Sequence, residues 1–309
     1  MGQKTVRSVV ITACTNRKRS PPLPELMARD LALGTADLVS AAWFDRVARV
    51  VEPRFRLTEL YCGRSFADAQ AAADASDARL FIVSAGLGLT HASTRAPSYS
   101  LTLVQGAADS VLRRTGGTSG DWWRALSAAS PFSEAAPDEG GLILAALSRP
   151  YLEMVAADWA DWPSERQSRL RIFCMDPPIH LPSALSAQLM PYDYDRFQAV
   201  DGFAGTRSDF AQRALRHFAE RIAVKEGSTL DHAQAVTELL APLAPVAWPN
   251  NERRSDDELL ALIVREWDAA GGRSAAMLRR LRGELGVACE QGRFKKLFHT
   301  AAAQRAAAL

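Results

Sequence analysis

The sequence predicts an α/β domain, a three-layer, doubly wound and mostly parallel sheet, followed by a helical, helix-turn-helix-like domain. Three observations carry this expectation. Short apolar runs alternate with stretches of helical spacing over the first two-thirds of the 309 residues, the pattern of strands joined by crossover helices. Several of those runs stop abruptly in small or polar residues, as buried strands do where they deliver loops to the carboxyl edge of a sheet. Beyond about residue 229 the strand-like runs cease, and helical patterns broken by glycines take over.

The elements follow in order. Val6 to Ala13 is the first strand. Asp30 to Val51 has helical spacing and ends before Pro53. Arg56 to Tyr61 reads as a short strand, and the Ala-rich Ser65 to Ala75 as a helix. Leu80 to Ser84 is the clearest strand after the first and ends in Ala85-Gly86-Leu87-Gly88. The segment from Gly116 to Pro163 is mostly helical, yet Gly140 to Leu147 within it reads equally as a strand. Arg169 to Met175 is a strand ending in Asp176-Pro177-Pro178. A helix over Asp209 to Arg221 closes the first domain, placed at residues 1–228. The second, 229–309, opens with a helix over Ala233 to Leu243 and a Pro- and Asn-rich linker, Ala244 to Asn251. Ser255-Asp256-Asp257-Glu258 then starts a helix with a capping serine and acids in its first turn. Helices over Ser274 to Leu285 and Cys289 to Ala303 follow, set off by Gly271-Gly272 and Gly286.

Composition narrows the function classes. A net charge of +2 does not by itself announce nucleic acid. The four cysteines stand singly, which argues against paired-cysteine zinc sites and a disulfide framework. No metal and no cofactor is expected. No apolar stretch reaches the length of a membrane span or a signal segment, so a cytoplasmic protein without a membrane partner is expected. Oligomeric state is not legible.

Four loops after strands hold the chemistry. In Cys14-Thr15-Asn16-Arg17-Lys18-Arg19, small residues let backbone approach a ligand, and the Asn16 amide suits a base edge or a water. Arg17, Lys18 and Arg19 read as phosphate contacts; the plainer reading is a turn cap and a solvated loop. In Tyr61-Cys62-Gly63-Arg64-Ser65-Phe66, Gly63 permits a tight turn, Ser65 caps the next helix, and Tyr61 and Phe66 either stack on a base or fill the core. Ser84, Gly86 and Gly88 lack the rest of a dinucleotide fingerprint and read as making room for a sugar or base. Tyr99 lies in a polar loop expected to close over the same site. Asp176 and His180 share the last loop: a carboxylate stabilises positive charge on a sugar, and an imidazole stabilises a departing base, unless the loop is a proline-stiffened connection. In the second domain Arg273, Arg279, Arg280, Arg282, Arg293, Lys295 and Lys296 stand against Glu284 and Glu290, the footprint of phosphate-backbone contacts, with Leu278, Leu281 and Leu285 as the buried face.

The series Ile11-Thr12-Ala13-Cys14-Thr15-Asn16-Arg17-Lys18, Leu60 to Phe66, Ile82 to Leu89 and Pro97-Ser98-Tyr99-Ser100-Leu101-Thr102-Leu103 resembles bacterial and phage domains related to the glycosylase-like domain of archaeosine tRNA-guanine transglycosylases. Those read Cys-Ser-x-x-Lys after the first strand and Ser-Ala-Lys-Tyr-Gly-Leu after the third. Gly202 to Phe210 and the helix beside it add to the likeness, which spans residues 5–222. It implies the fold of uracil-DNA glycosylases. Nearest in character within it is an anti-phage DNA glycosylase that removes glucosylated hydroxymethylcytosine. Thr15 replaces the serine, and Gly86-Leu87 replaces Lys-Tyr, which is expected to leave room for a sugar-bearing base. The Gly-Gln-Asp-Pro-Tyr motif of uracil glycosylases is absent, so Asn16 is a counterpart by position alone, and His180-Leu181-Pro182-Ser183 a loose echo of a second glycosylase loop.

Residues and resemblance together lead to the expectation of a DNA N-glycosylase in antiviral defence. It would flip a modified cytosine of phage DNA out of the stack and leave an abasic site. Asn16, Asp176 and His180 are its expected catalytic residues. Cys14, Thr15, Tyr61, Gly63, Ser65, Phe66, Ser84, Gly86, Gly88 and Tyr99 are the expected substrate contacts. A base or nucleoside transglycosylase on the same scaffold, and a non-catalytic sensor of modified DNA, are the alternatives.

Overall fold

The computed structural model describes residues 7–135, 140–223, 227–247 and 251–307. Residue 6 of the first expected strand and 248–250 of the expected linker lie outside them. The chain forms two compact units, Met1–Pro245 and Val246–Leu309.

The first unit is α/β. Its sheet contains β1 (Arg7–Ala13), β2 (Arg79–Ser84), β3 (Gly88–His91), β4 (Gly140–Ala146) and β5 (Leu170–Phe173) in the order β3-β2-β1-β4-β5. All neighbours are parallel except the antiparallel edge pair β2-β3. Val9, Val10 and Ile11 of β1 and Ile143, Leu144 and Ala145 of β4 are buried on both faces, which is why these strands read as unbroken apolar runs. Helices α1 (Ala36–Arg49), α3 (Ser119–Ala129) and α4 (Arg149–Ala160) cover one face; α2 (Arg64–Ala75) and α5 (Phe210–Arg221) cover the other. The Trp43 and Trp122 indoles anchor the first layer by donating to the Gly86 and Ala85 carbonyls at 2.7 and 2.9 Å.

Several boundaries move from their expected places. The segment Gly140 to Leu147 is a strand, and Gly141 is needed there: a Cβ would lie 2.5 Å from the Arg7 carbonyl oxygen of β1. Helix α1 starts at Ala36 rather than Asp30, because Thr35 caps it, its side chain accepting from the Leu38 amide. Arg56 to Tyr61 is not a strand. Phe55–Arg56 pairs briefly with Arg95–Ala96, and Leu57–Leu60 forms one helical turn. Leu57 and Leu60 are both buried, a spacing of three that favours a turn over an extended strand.

The division between units also moves. Helix α6 (Thr229–Leu240) was expected to open the second domain but belongs to the first unit. Val236 and Leu240 join the first core, and the buried Arg171 of β5 donates to His232 Nδ1 at 2.9 Å. The second unit holds α7 (Asp256–Arg265), α8 (Ser274–Gly283) and α9 (Gln291–Ala307), with Glu252–Arg253 paired to Val287–Ala288. Leu259, Ile263, Met277, Leu281 and Phe294 form its core. As expected, Ser255 and Glu258 close a capping box at α7. No helix among the described residues is long and apolar enough to cross a membrane.

Candidate active site

Sheet order reverses at β1: β2 lies to one side and β4 to the other. Open α/β sheets place ligands in the crevice at the carboxyl ends of such strands. A cavity of about 420 Å³ opens there, within the range of about 300–1,000 Å³ common for small-molecule sites.

Three strands deliver part of the cavity wall, and two helix starts deliver the rest. Ala13 to Asn16 follow β1, Ser148 to Tyr151 follow β4, and Met175 and Asp176 follow β5. Ser65 and Phe66 enter from the first turn of α2, Arg207 and Ser208 from the short turn before α5, and Ala211 and Gln212 from the start of α5. Gln212 is buried and donates to Thr12 Oγ1 and the Ala146 carbonyl, both at 3.2 Å, which ties α5 to the ends of β1 and β4.

On the cavity wall Cys14 Sγ and Tyr151 Oη share a hydrogen bond of 3.1 Å. Burial pushes the Tyr151 phenol well above its ordinary pKa, so it stays a neutral donor. Behind Phe66, whose ring packs edge-on against Tyr61 at 5.7 Å, lies a fully buried polar chain. Tyr61 and Tyr99 share a 2.7 Å hydrogen bond, Tyr99 and Ser84 one of 2.6 Å, and Ser84 Oγ accepts from the Gly86 and Leu87 amides. Burial raises both phenols. At the rim Asp176 pairs with Arg207 at 3.3 Å, and Arg149 with Glu153 at 2.9 Å. These pairs are largely open to water and so worth little on their own; either arginine can exchange its carboxylate for a phosphate at small cost.

Of the residues expected at the site, Cys14, Thr15, Asn16, Ser65, Phe66 and Asp176 do meet in this cavity. Others do not. His180 is exposed and outside the cavity wall; Pro177 and Pro178 carry the chain away after Asp176. Tyr61, Ser84 and Tyr99 stand one layer behind it, as core. Gly86 makes room for protein: a Cβ there would lie 2.6 Å from Tyr99 Cε2. Gly88, at φ +86°, faces Ser133, whose Oγ would lie 2.7 Å from a Cβ. The space left by the smaller Gly86-Leu87 pair is thus filled by Tyr99, and Leu87 is itself buried. Ser65 does not cap α2; Gly63 occupies the cap position at φ +99° beside the Arg17 side chain, and Ser65 faces the cavity.

Lys18 also departs from expectation. The Arg19 amide donates to the Leu60 carbonyl and the Cys62 amide to that of Arg17, stitching the loop to residues 60–62. This turns Lys18 inward, its Nζ 4.4 Å from the Tyr99 ring centroid and 5.5 Å from that of Tyr61. Burial lowers its pKa. Arg17 and Arg19 stay exposed.

Arg149, Tyr151, Arg207 and Gln212 were not foreseen at the site. The sequence holds their signal: Ser148-Arg149-Pro150-Tyr151 follows the Gly140 to Leu147 run, Arg207 lies within the Gly202 to Phe210 stretch, and Gln212 lies just beyond it. In the second unit, three of the expected DNA cations serve the fold. Arg280 pairs with Glu266 and Glu284, Arg282 donates to the Cys289 carbonyl, and Arg293 pairs with Asp256. Neither a protein-family model, nor a curated protein, nor a solved structure matches the chain.

Proposed function

We propose that the protein is a DNA N-glycosylase that removes a modified cytosine, with glucosylated hydroxymethylcytosine the first candidate, from phage DNA in the cytoplasm. The observation that carries this reading is the meeting of Asn16, Asp176 and the aromatic Phe66 in one cavity with Arg149 and Arg207 at its rim. The family resemblance of residues 5–222 supports it further.

In this reading a flipped nucleotide enters the cavity, its base against Phe66 and its edge toward the Tyr151 hydroxyl and the Cys14 thiol. Arg149, Arg207, Arg17 and Arg19 take the flanking phosphates. As the N-glycosidic bond breaks, positive charge develops on the sugar, and the Asp176 carboxylate stabilises it. Asn16 holds the water whose oxygen bonds to the anomeric carbon while its proton passes to the departing base. His180 has no part in this scheme, since it stands outside the cavity wall. Arg273 and Lys296 of the second unit add phosphate contacts.

The test is incubation of the purified protein with a panel of modified and unmodified DNAs, with alkali-labile sites and released bases read by mass spectrometry. Base release from at least one modified DNA is expected. Asn16→Ala and Asp176→Ala should each lower it by roughly 100-fold or more. No abasic site on any DNA would falsify the proposal, and tight binding without release would make the protein a sensor. Full activity in both variants would overturn the residue assignment.

A further inference from the structure

A groove of about 820 Å³ runs between α8 and α9 of the second unit. Its floor is apolar: Leu278 from α8, and Phe294 and Phe298 from α9. Ala275 and Gly283 keep the α8 wall low; no atom lies within 4 Å of where a Gly283 Cβ would stand. Cations rise from both walls, Arg279 on one side and Lys295 on the other, and among the described residues no carboxylate lines the groove.

Most of the unit's acids are engaged elsewhere. Glu266 and Glu284 hold Arg280, Asp256 holds Arg293, and Asp268 holds Arg305. Glu258 and Glu290 accept backbone amides at the starts of α7 and α9. Arg279 and Lys295 make no ion pair among the described residues.

We infer that this groove docks an acidic amphipathic helix of a partner protein, its apolar side chains on Leu278 and Phe298 and its carboxylates on Arg279 and Lys295. Charge complementarity selects the occupant: an apolar trough with cationic walls matches a helix bearing apolar residues at i, i+3 or i+4, and i+7 and acids beside them. Size agrees. The 10-residue α8 is about 15 Å long, the length of nearly three turns of a docked helix. A nucleic-acid strand fits less well. It would offer phosphates to the walls but needs ring faces for its bases; Phe294 is only 2% exposed, and Phe298 is stacked on Trp267 at 4.7 Å. The inference rests on the second unit's own residues and stands apart from the glycosylase reading.

The experiment is selection of a random 12-residue peptide library on the full-length protein, followed by anisotropy titrations of the enriched peptides. Enriched peptides should be acidic, with apolar residues at helical spacing. Leu278→Glu should weaken their binding roughly tenfold or more, as should the double variant Arg279→Glu/Lys295→Glu. The double variant alters only exposed side chains, so its circular dichroism should match the parent's. Failure to enrich, enrichment of peptides without acids, or binding indifferent to both variants would overturn the inference. So would a 30-mer oligonucleotide whose binding is lost in the double variant and which the peptides do not displace; the groove would then be a nucleic-acid site. Base release by the variants is read in parallel, and its presence or absence bears only on the glycosylase proposal.

Discussion

At Gly86 a Cβ would lie 2.6 Å from Tyr99 Cε2, so no side chain fits there unless the ring shifts. In the sequence Gly86 reads as space for a ligand, yet the space belongs to Tyr99, which bridges Ser84 and Tyr61. Gly86→Ala should therefore destabilise the fold by about 1–3 kcal/mol through overpacking, read as a lower urea midpoint. An unchanged midpoint would mean that Tyr99 yields freely. Lys18 makes the same point: three successive cations look alike in sequence, but loop pairing turns only the middle one onto tyrosine rings. His217 offers a pH test. Burial, aided by Arg221, lowers its pKa to about 4 from 6.5. Between these values the unfolded chain binds a proton that the native chain does not, so stability falls as pH drops from 6.5 to 4. The loss amounts to at most about 3 kcal/mol. His217→Gln should flatten that part of the stability profile; the parent's full slope in the variant would refute this origin.

Helix α5 shows how an element sets the site. Arg213 is fully buried and donates to Asp209 Oδ1 at 2.6 Å, to the Thr206 carbonyl at 2.9 Å and to the Phe203 carbonyl. It thereby fixes residues 203–209, the stretch that presents Arg207 and Ser208 to the cavity. Arg213→Met leaves the buried Asp209 unpaired and should cost about 3–5 kcal/mol. Faster amide exchange across 203–208 is expected with it, and unaltered exchange would contradict the role. The helix was legible from the spacing of Phe210, Ala214, Leu215 and Phe218. Its contribution to the site was not, because Gln212 acts through β1 and β4, whose neighbours in the sheet are fixed by long-range pairing.

The molecule as a whole divides after Pro245. A chain ending there should unfold in one cooperative transition. A chain ending at residue 228 loses α6, leaves Arg171 without His232, and uncovers core around Val236 and Leu240. Its melting temperature should be several degrees lower, consistent with about 2–5 kcal/mol for losing large buried side chains. Equal melting temperatures for the two would place the boundary before α6, at residue 228. The sequence places α6 with the second domain because α6 is amphipathic and follows a break, and nothing local says which core its apolar face joins.

What the sequence determined by itself is the local pattern: which runs are buried strands, where their loops emerge, and where Ser255 starts a helix. Periodicity and capping are short-range properties, and they brought Cys14, Asn16, Phe66 and Asp176 to one edge of the sheet in advance. Tertiary structure alone decided which loop residues face the cavity and which are core. Tyr61, Ser84 and Tyr99 satisfy one another's hydrogen bonds in the interior, and His180 is carried away from the site. It also decided which cations are consumed by carboxylates distant in the chain, as Arg293 is by Asp256. Such pairings depend on contacts across tens of residues, and no window of neighbouring residues contains them.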